Sequence, residues 1–443
     1  MKTSPYARLK STATVTAAIG ILLALAVGCG SPIPRPGLEA RRAATDLAAS
    51  IDPRVASQGA AGPDFNLFAT VYQVVQSDYV HPVEGRSLVL AATQGIKKEF
   101  PKPVKVSGKD LDIAATEAML SSLDPYSVYM SPEDFRSFNE DTRGAFGGLG
   151  IEVTKRSGRL TVISPIEGTP ADKAGLKPGD VITHANGVAI DPLELRDAVR
   201  MLRGRVGTAV ELRIEREGKE PFTVTLTRDI IKSHPVRWHL EDTVGYIRIV
   251  KFQEDTAAQV REAVEDIEAQ LGDRLDGFVL DLRSNPGGYL QEAVGVSDVF
   301  MSDGVIVSTK GRRDSDVQTA SGGDLAHGLP LVVLINGGSA SASEIVSGAL
   351  QDSGRGILIG ERSYGKGSVQ RIFNLNHGDG LKLTTALYFT PSGRSVEGGI
   401  VPDMVVEQPE GETKDMQLRE ALSLVVELSG GPEVIWDAGA AAE

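Results

Sequence analysis

The sequence predicts a mixed α/β protein: a helical N-terminal region, a small β domain and an α/β core. Three observations predict it. In residues 63–140, apolar residues recur at helical spacing, beginning with Phe65, Phe68, Tyr72 and Val75. Residues 141–232 carry the glycine cluster FGGLGI and a Pro178-Gly179 turn leading into a strand. From residue 233 onward, apolar runs too short for helices (244–249, 277–282, 329–335) alternate with amphipathic stretches, and alternating βα units imply an α/β core.

The elements follow in order. Lys2, Arg8 and Lys10 precede a small or apolar stretch over 12–27, which is short for a membrane span and suits the core of an export signal. It ends at Ala26-Val27-Gly28-Cys29. Cys29 is the single cysteine of 443 residues, so no intramolecular disulfide can form, and its place behind the apolar run reads as a lipid-attachment site. The chain is then expected to be exported, in the periplasm or cell envelope, as a membrane-anchored lipoprotein. The Ala-, Pro-, Gly- and Ser-rich stretch that follows reads as a flexible tether. Asp64 is placed to cap the first helix, and residues 111–123 form another, ended at Asp124-Pro125. Helices are also expected over 192–202, 257–271, from about Tyr289, and over 413–428. The net charge of -13 argues against a nucleic-acid partner. Six histidines without a paired spacing, and no cysteine cluster, predict no metal and no cofactor.

The chemistry concentrates in two stretches. The first is NGGSASASEIVSGAL, residues 336–350, after the buried run 329–335. It reads as strand, tight turn, helix. A serine at the start of that helix lies beside N–H groups that lack intrahelical partners and favour negative charge. The same residues, Ser341-Ala342-Ser343-Glu344, also read as a helix-capping box. The second stretch is GERSYGKG, residues 360–367, in which Lys366 stands between two glycines. A lysine drawn inward there loses its proton readily and can act as a general base. The pattern also approaches a phosphate-binding loop, but Gly367 stands where Ser or Thr is needed and a strand, not a helix, follows.

SASASEI followed by GKGSVQ, with Lys366 placed 25 positions after Ser341, resembles the carboxyl-terminal processing (tail-specific) proteases. The resemblance continues through DLRSNPGG, LYFTPSGRSVEGGIVPD and a PDZ-like domain, over roughly residues 64–428. It implies Ser341 as nucleophile, Lys366 as base and Gln370 as the residue orienting the lysine, in a crotonase-like α/β catalytic core. An oxyanion hole is expected from the N–H of Ala342 with that of Gly287 or Gly288. Gly148, Leu149, Gly150, Ile151 and Val153 resemble a PDZ loop and strand that receive a peptide's C-terminal carboxylate, with Leu149 and Ile151 lining the pocket for its last side chain.

The expected parts are a signal peptide (1–28), tether (29–62), helical region (63–140), PDZ domain (141–232), catalytic core (233–410), and C-terminal helix and tail (411–443). The expected function is a serine endopeptidase cleaving exported or envelope proteins at free C-termini. Its partners are protein or peptide substrates, the membrane through the lipid, and a second copy or an activating protein. The non-enzyme alternative is a lipid-anchored PDZ scaffold that binds tails without cutting them.

Overall fold

The computed structural model describes residues 35–51, 64–101, 106–409 and 412–430. The expected export signal, Cys29 and the tail after Asp437 lie outside the described residues.

The α/β core is built on a six-stranded sheet in the order Val236–Glu241, Val244–Ile249, Gly277–Asp281, Leu331–Ile335, Ile357–Gly360, Met404–Val405. The first pair is antiparallel and every later pair is parallel. Both faces are covered, which is why strands 277–281 and 331–335 are buried throughout and, apart from Asp281, apolar. Alternation divides their side chains between two cores. Phe278, Leu280, Leu331, Val333 and Ile335 pack with the helices Thr256–Leu271, Leu290–Phe300 and Ala342–Asp352. Val279, Val332 and Leu334 face Ala421, Leu422 and Val425 of the helix Met416–Leu428. The exits of the three central parallel strands, residues 282–288, 336–341 and 361–367, meet at one edge of the sheet. Open α/β sheets bind ligands at this edge.

A second sheet joins Val128–Met130, Gly380–Phe389, Val305–Gly311 and Ser315–Thr319 in that order, with Ser368–Asn374 also paired to Gly380–Phe389. Leu381, Leu383 and Phe373 of this sheet pack against the N-terminal helices, so the helical region is fused to the core.

Two details correct the expectations. The stretch read as a flexible tether contains a helix, Leu38–Ser50, whose Ala40, Ala43, Ala44 and Leu47 are buried against the following helices. Alanine is the best helix former, and small residues at this spacing let helices approach closely, so an alanine-rich segment packs here despite its low hydrophobicity. Asp64 does not cap the helix Asn66–Asp78; the N-cap is Phe65, at φ 40°. The cap is supplied from another helix, Gly108–Ser121, where the carboxylate of Asp112 accepts the N–H groups of Leu67 (2.9 Å) and Phe68 (2.8 Å). A sequence window cannot show a cap 45 residues away.

The small β domain is a sheet of Ile151–Arg156, Arg159–Pro165, Val181–Ala185, Ala209–Glu215 and Phe222–Thr227, with Val188–Ala189 paired to Val181–Ala185. The helix Leu195–Leu202 contacts the strand Ile151–Arg156. The chain enters and leaves this domain through one antiparallel ribbon, Ala145–Gly148 with Asp229–Lys232. At the end of the domain's helix, Arg203 lies over the ring of Phe146 (3.9 Å) and pairs with Asp141 (2.7 Å) of the helix Pro132–Arg143.

Candidate active site

Three serines of SASAS sit side by side, and the fold treats them differently. Ser339 and Ser343 are fully buried. Their hydroxyls donate to the carbonyls of Leu282 (2.8 Å) and Asn285 (2.9 Å), tying this turn to the neighbouring strand exit. Ser341 is half-exposed, stands at the N-cap of the helix Ala342–Asp352, and has φ 55° and ψ -111°. A non-glycine residue held at such angles is uncommon, costs about 1–3 kcal/mol, and persists only where its surroundings enforce it. Here the enforcing group is Glu344. Its buried carboxylate accepts the Ser341 N–H at 2.7 Å, so the capping-box motif is present and serves to fix the serine turn.

The same carboxylate organises the second stretch. Glu344 Oε1 accepts the Ser363 hydroxyl and the Gly365 N–H, both at 2.6 Å, and Oε2 accepts the Lys366 N–H at 3.0 Å. The Tyr388 hydroxyl donates to the Lys366 carbonyl and lies 3.5 Å from Glu344 Oε2. The lysine loop is therefore wound around the first turn of the serine helix. Gly365, at φ +94°, permits this: a Cβ there would come within 2.7 Å of the Gly399 N. The Lys366 ammonium lies 4.9 Å from the centre of the Tyr126 ring. Burial, followed by the like charge of Lys382, pushes its pKa down to about 8, against the opposing pull of Glu344 and Asp124.

Gln370 lies on the strand Ser368–Asn374, two turns of the pleat beyond the lysine loop. Its amide donates to the Ser368 carbonyl (3.1 Å) and hydroxyl (2.9 Å), and no hydrogen bond joins it to Lys366 among the described residues.

The turn 283–288 closes the third side. A Cβ on Gly287, at φ +95°, would lie 2.8 Å from Ser341 Cβ and 2.9 Å from the Ala342 N, so this glycine forms the wall of the space beside the serine. Its own N–H is bound by the side chain of buried Asn285 at 2.9 Å. The N–H groups of Gly288 and Ala342 have no acceptor among the described residues.

In the small domain, Gly148 ends the ribbon opposite Asp229, and Gly150 has φ +72° with Thr169 where a Cβ would be. The N–H groups of Leu149 and Gly150 have no acceptor among the described residues. Ile151 and Val153 are half-buried on the strand beside the helix Leu195–Leu202, whereas Leu149 is buried in the domain's core.

Sequence reading missed Glu344 as the joint of the site, Tyr126 and Tyr388 as its walls, and Lys382. Only Glu344 carried a signal, the S-x-x-E spacing.

The chain is similar to known proteases over most of its length. Residues 243–406 match the model of peptidase family S41, and residues 147–226 match a PDZ domain. The carboxy-terminal-processing protease of Bartonella bacilliformis is 50% identical over 300 residues, covering 67% of this chain and 69% of the relative. The carboxyl-terminal-processing protease of Synechocystis is 38% identical over 351 residues, covering 76% of this chain and 80% of that protein. Among solved structures, a photosystem II D1 C-terminal processing protease aligns with a TM-score of 0.50 and 28% identity, covering 82% of this chain and 98% of its own. The chain therefore belongs to peptidase family S41, among the carboxy-terminal-processing serine proteases with a PDZ domain.

Proposed function

We propose that this serine peptidase cleaves by a Ser341–Lys366 dyad and selects substrates by their free C-termini. The observation that carries the reading is the division among the three serines. Ser339 and Ser343 are locked to backbone, and Ser341 alone is presented, at a strained backbone angle, on the carboxylate that also holds the Lys366 loop. In this mechanism the Ser341 hydroxyl attacks the scissile carbonyl as its proton passes to neutral Lys366. The oxygen that becomes negative is received by the Ala342 N–H and the glycine turn; the unengaged N–H of Gly288 supports that glycine as donor. Lys366, now an ammonium, protonates the departing amine. Water then attacks the acyl-enzyme with Lys366 again as base, releasing the new C-terminus and restoring the serine. Gln370 would orient Lys366 after turning from its bonds to Ser368.

The PDZ domain receives the substrate's terminal carboxylate on the N–H groups of Leu149 and Gly150, and the tail adds as a strand beside Ile151 and Val153. With the N-terminal signal and a lipid on Cys29, the substrates are exported or envelope proteins. The test uses Ser341→Ala enzyme and a pair of peptides differing only in a C-terminal acid or amide. Losing a charge-assisted interaction of about 1.5–3 kcal/mol weakens capture of the amide by roughly ten- to a hundredfold. Equal binding of both forms, or cleavage by the alanine variant, overturns the reading. Mass spectrometry of the membrane-extracted protein reads the lipid on Cys29; an unmodified Cys29 removes that part.

A further inference from the structure

The second sheet presents one face to the N-terminal helices and the other to the active site. On the strand Gly380–Phe389, Leu381 and Leu383 are buried on the helical side. Lys382 and Thr384 alternate to the opposite face. Gln370 pairs with Thr384, and Ile372 with Lys382, so Lys382 shares a face with the expected lysine-orienting residue. The turn 124–127 leads into the strand Val128–Met130, whose Val128 pairs with Lys382. Ser127 is bonded to Thr384 through the Thr384 N–H (3.2 Å) and to Asp124 Oδ2 (2.8 Å), and its neighbour Tyr126 lies against the Lys366 ammonium. Lys382 is half-buried; the Asp124 carboxylate attracts its ammonium, but no hydrogen bond or close ion pair joins Lys382 to any described residue.

We propose that Lys382 is a positioning residue for Lys366: an unpaired second ammonium on the same face that disfavours positive charge at the base. This rests on the dyad reading above.

The groups around Lys366 are Asp124 and Tyr126 from the turn, Glu344 from the serine helix, and Lys382 and Tyr388 from the strand, with Tyr364 of its own loop beside Tyr126. Both carboxylates favour the ammonium form of Lys366, and all four of their oxygens already accept donors from backbone or hydroxyl groups. Besides burial, Lys382 is the group that opposes them. Burial lowers the Lys382 pKa as well, against the opposing pull of Asp124. The effect on chemistry runs in both directions of proton transfer. Lys366 is kept neutral nearer working pH, and the ammonium formed on taking the Ser341 proton becomes a readier donor to the leaving amine.

The experiment measures the rate of covalent labelling of Ser341 by a fluorophosphonate across pH in full-length wild type, Lys382→Gln and Lys382→Arg. Removing the charge raises the Lys366 pKa, so the acid limb of the Gln variant moves up. Loss of one partly screened like charge is expected to move the limb by roughly half to one pH unit, about a three- to tenfold slower labelling on the low-pH side, with the high-pH plateau kept. Arginine carries a permanent charge, so its limb stays in place or moves down. Superimposed profiles for wild type and Gln overturn the proposal, as does an upward shift in Arg. Loss of labelling at every pH in a folded Gln variant also overturns it, by making Lys382 a direct participant. Should Lys382→Gln fail to fold by circular dichroism, Lys382→Met carries the same test: its acid limb moves up, and a profile superimposed on wild type overturns the proposal. Failure of the dyad itself shows separately, as undiminished labelling in Lys366→Met.

Discussion

Glu344 and Lys366 are joined through the backbone: Glu344 Oε2 accepts the Lys366 N–H at 3.0 Å and, with the same oxygen, the Ser341 N–H at 2.7 Å. One buried carboxylate thus sets the separation of the two loops that bring nucleophile and base together. Glu344→Gln keeps the volume but turns one acceptor into a donor facing N–H groups. Because a displacement of about 1 Å can cost 10²-fold, kcat is expected to fall roughly a hundredfold with KM little changed. Steady-state kinetics on a peptide substrate read this directly. A Gln variant with wild-type kcat would show that the carboxylate serves the fold alone.

The three serines make a second prediction. Ser339→Ala and Ser343→Ala each remove a buried hydrogen bond to a carbonyl and should lower stability by about 1–2 kcal/mol while cleavage persists. Ser341→Ala should abolish cleavage and leave the urea midpoint near wild type. Activity surviving in Ser341→Ala but lost in a folded Ser339→Ala or Ser343→Ala would move the nucleophile elsewhere.

Gly287 gives a third. Any side chain there meets Ser341 Cβ, the Ala340 carbonyl and the Ala342 N at under 3 Å, and φ +95° is strained for other residues. Gly287→Ala is expected to cost about 10²–10³ in kcat, the size of losing an oxyanion donor, because the added methyl fills the space beside Ser341. Near-wild-type turnover would place the substrate carbonyl on another side of the serine.

Much of this was legible in the sequence for particular reasons. Strands 277–281 and 331–335 announced themselves because burial on both faces favours apolar residues at nearly every position, Asp281 excepted. Ser341 and Lys366 were legible because each sits in a short, glycine-marked turn at the end of such a run. Glu344 was half-legible: its spacing gave the cap, but its bonds to Ser363, Gly365 and Lys366 cross between elements that only folding brings together. Lys382 carried no signal in the sequence, because the face it occupies depends on the pairing of Gly380–Phe389 with Ser368–Asn374. The helix Leu38–Ser50 was hidden by composition, since alanine-rich sequence reads alike as linker and as close-packed helix until its partner is known.

The central claim is that neutral Lys366 activates Ser341, and the pH dependence of kcat/KM for a peptide with a free C-terminus tests it most directly. Lys366 is charged and idle below its pKa of about 8, so activity should rise through that pH and level off above it. Lys366→Ala and Lys366→Arg should both lack turnover across the range, arginine because it does not deprotonate there. An acid limb near pH 6.5, the range of an ordinary histidine, or an active Lys366→Arg enzyme would contradict the account.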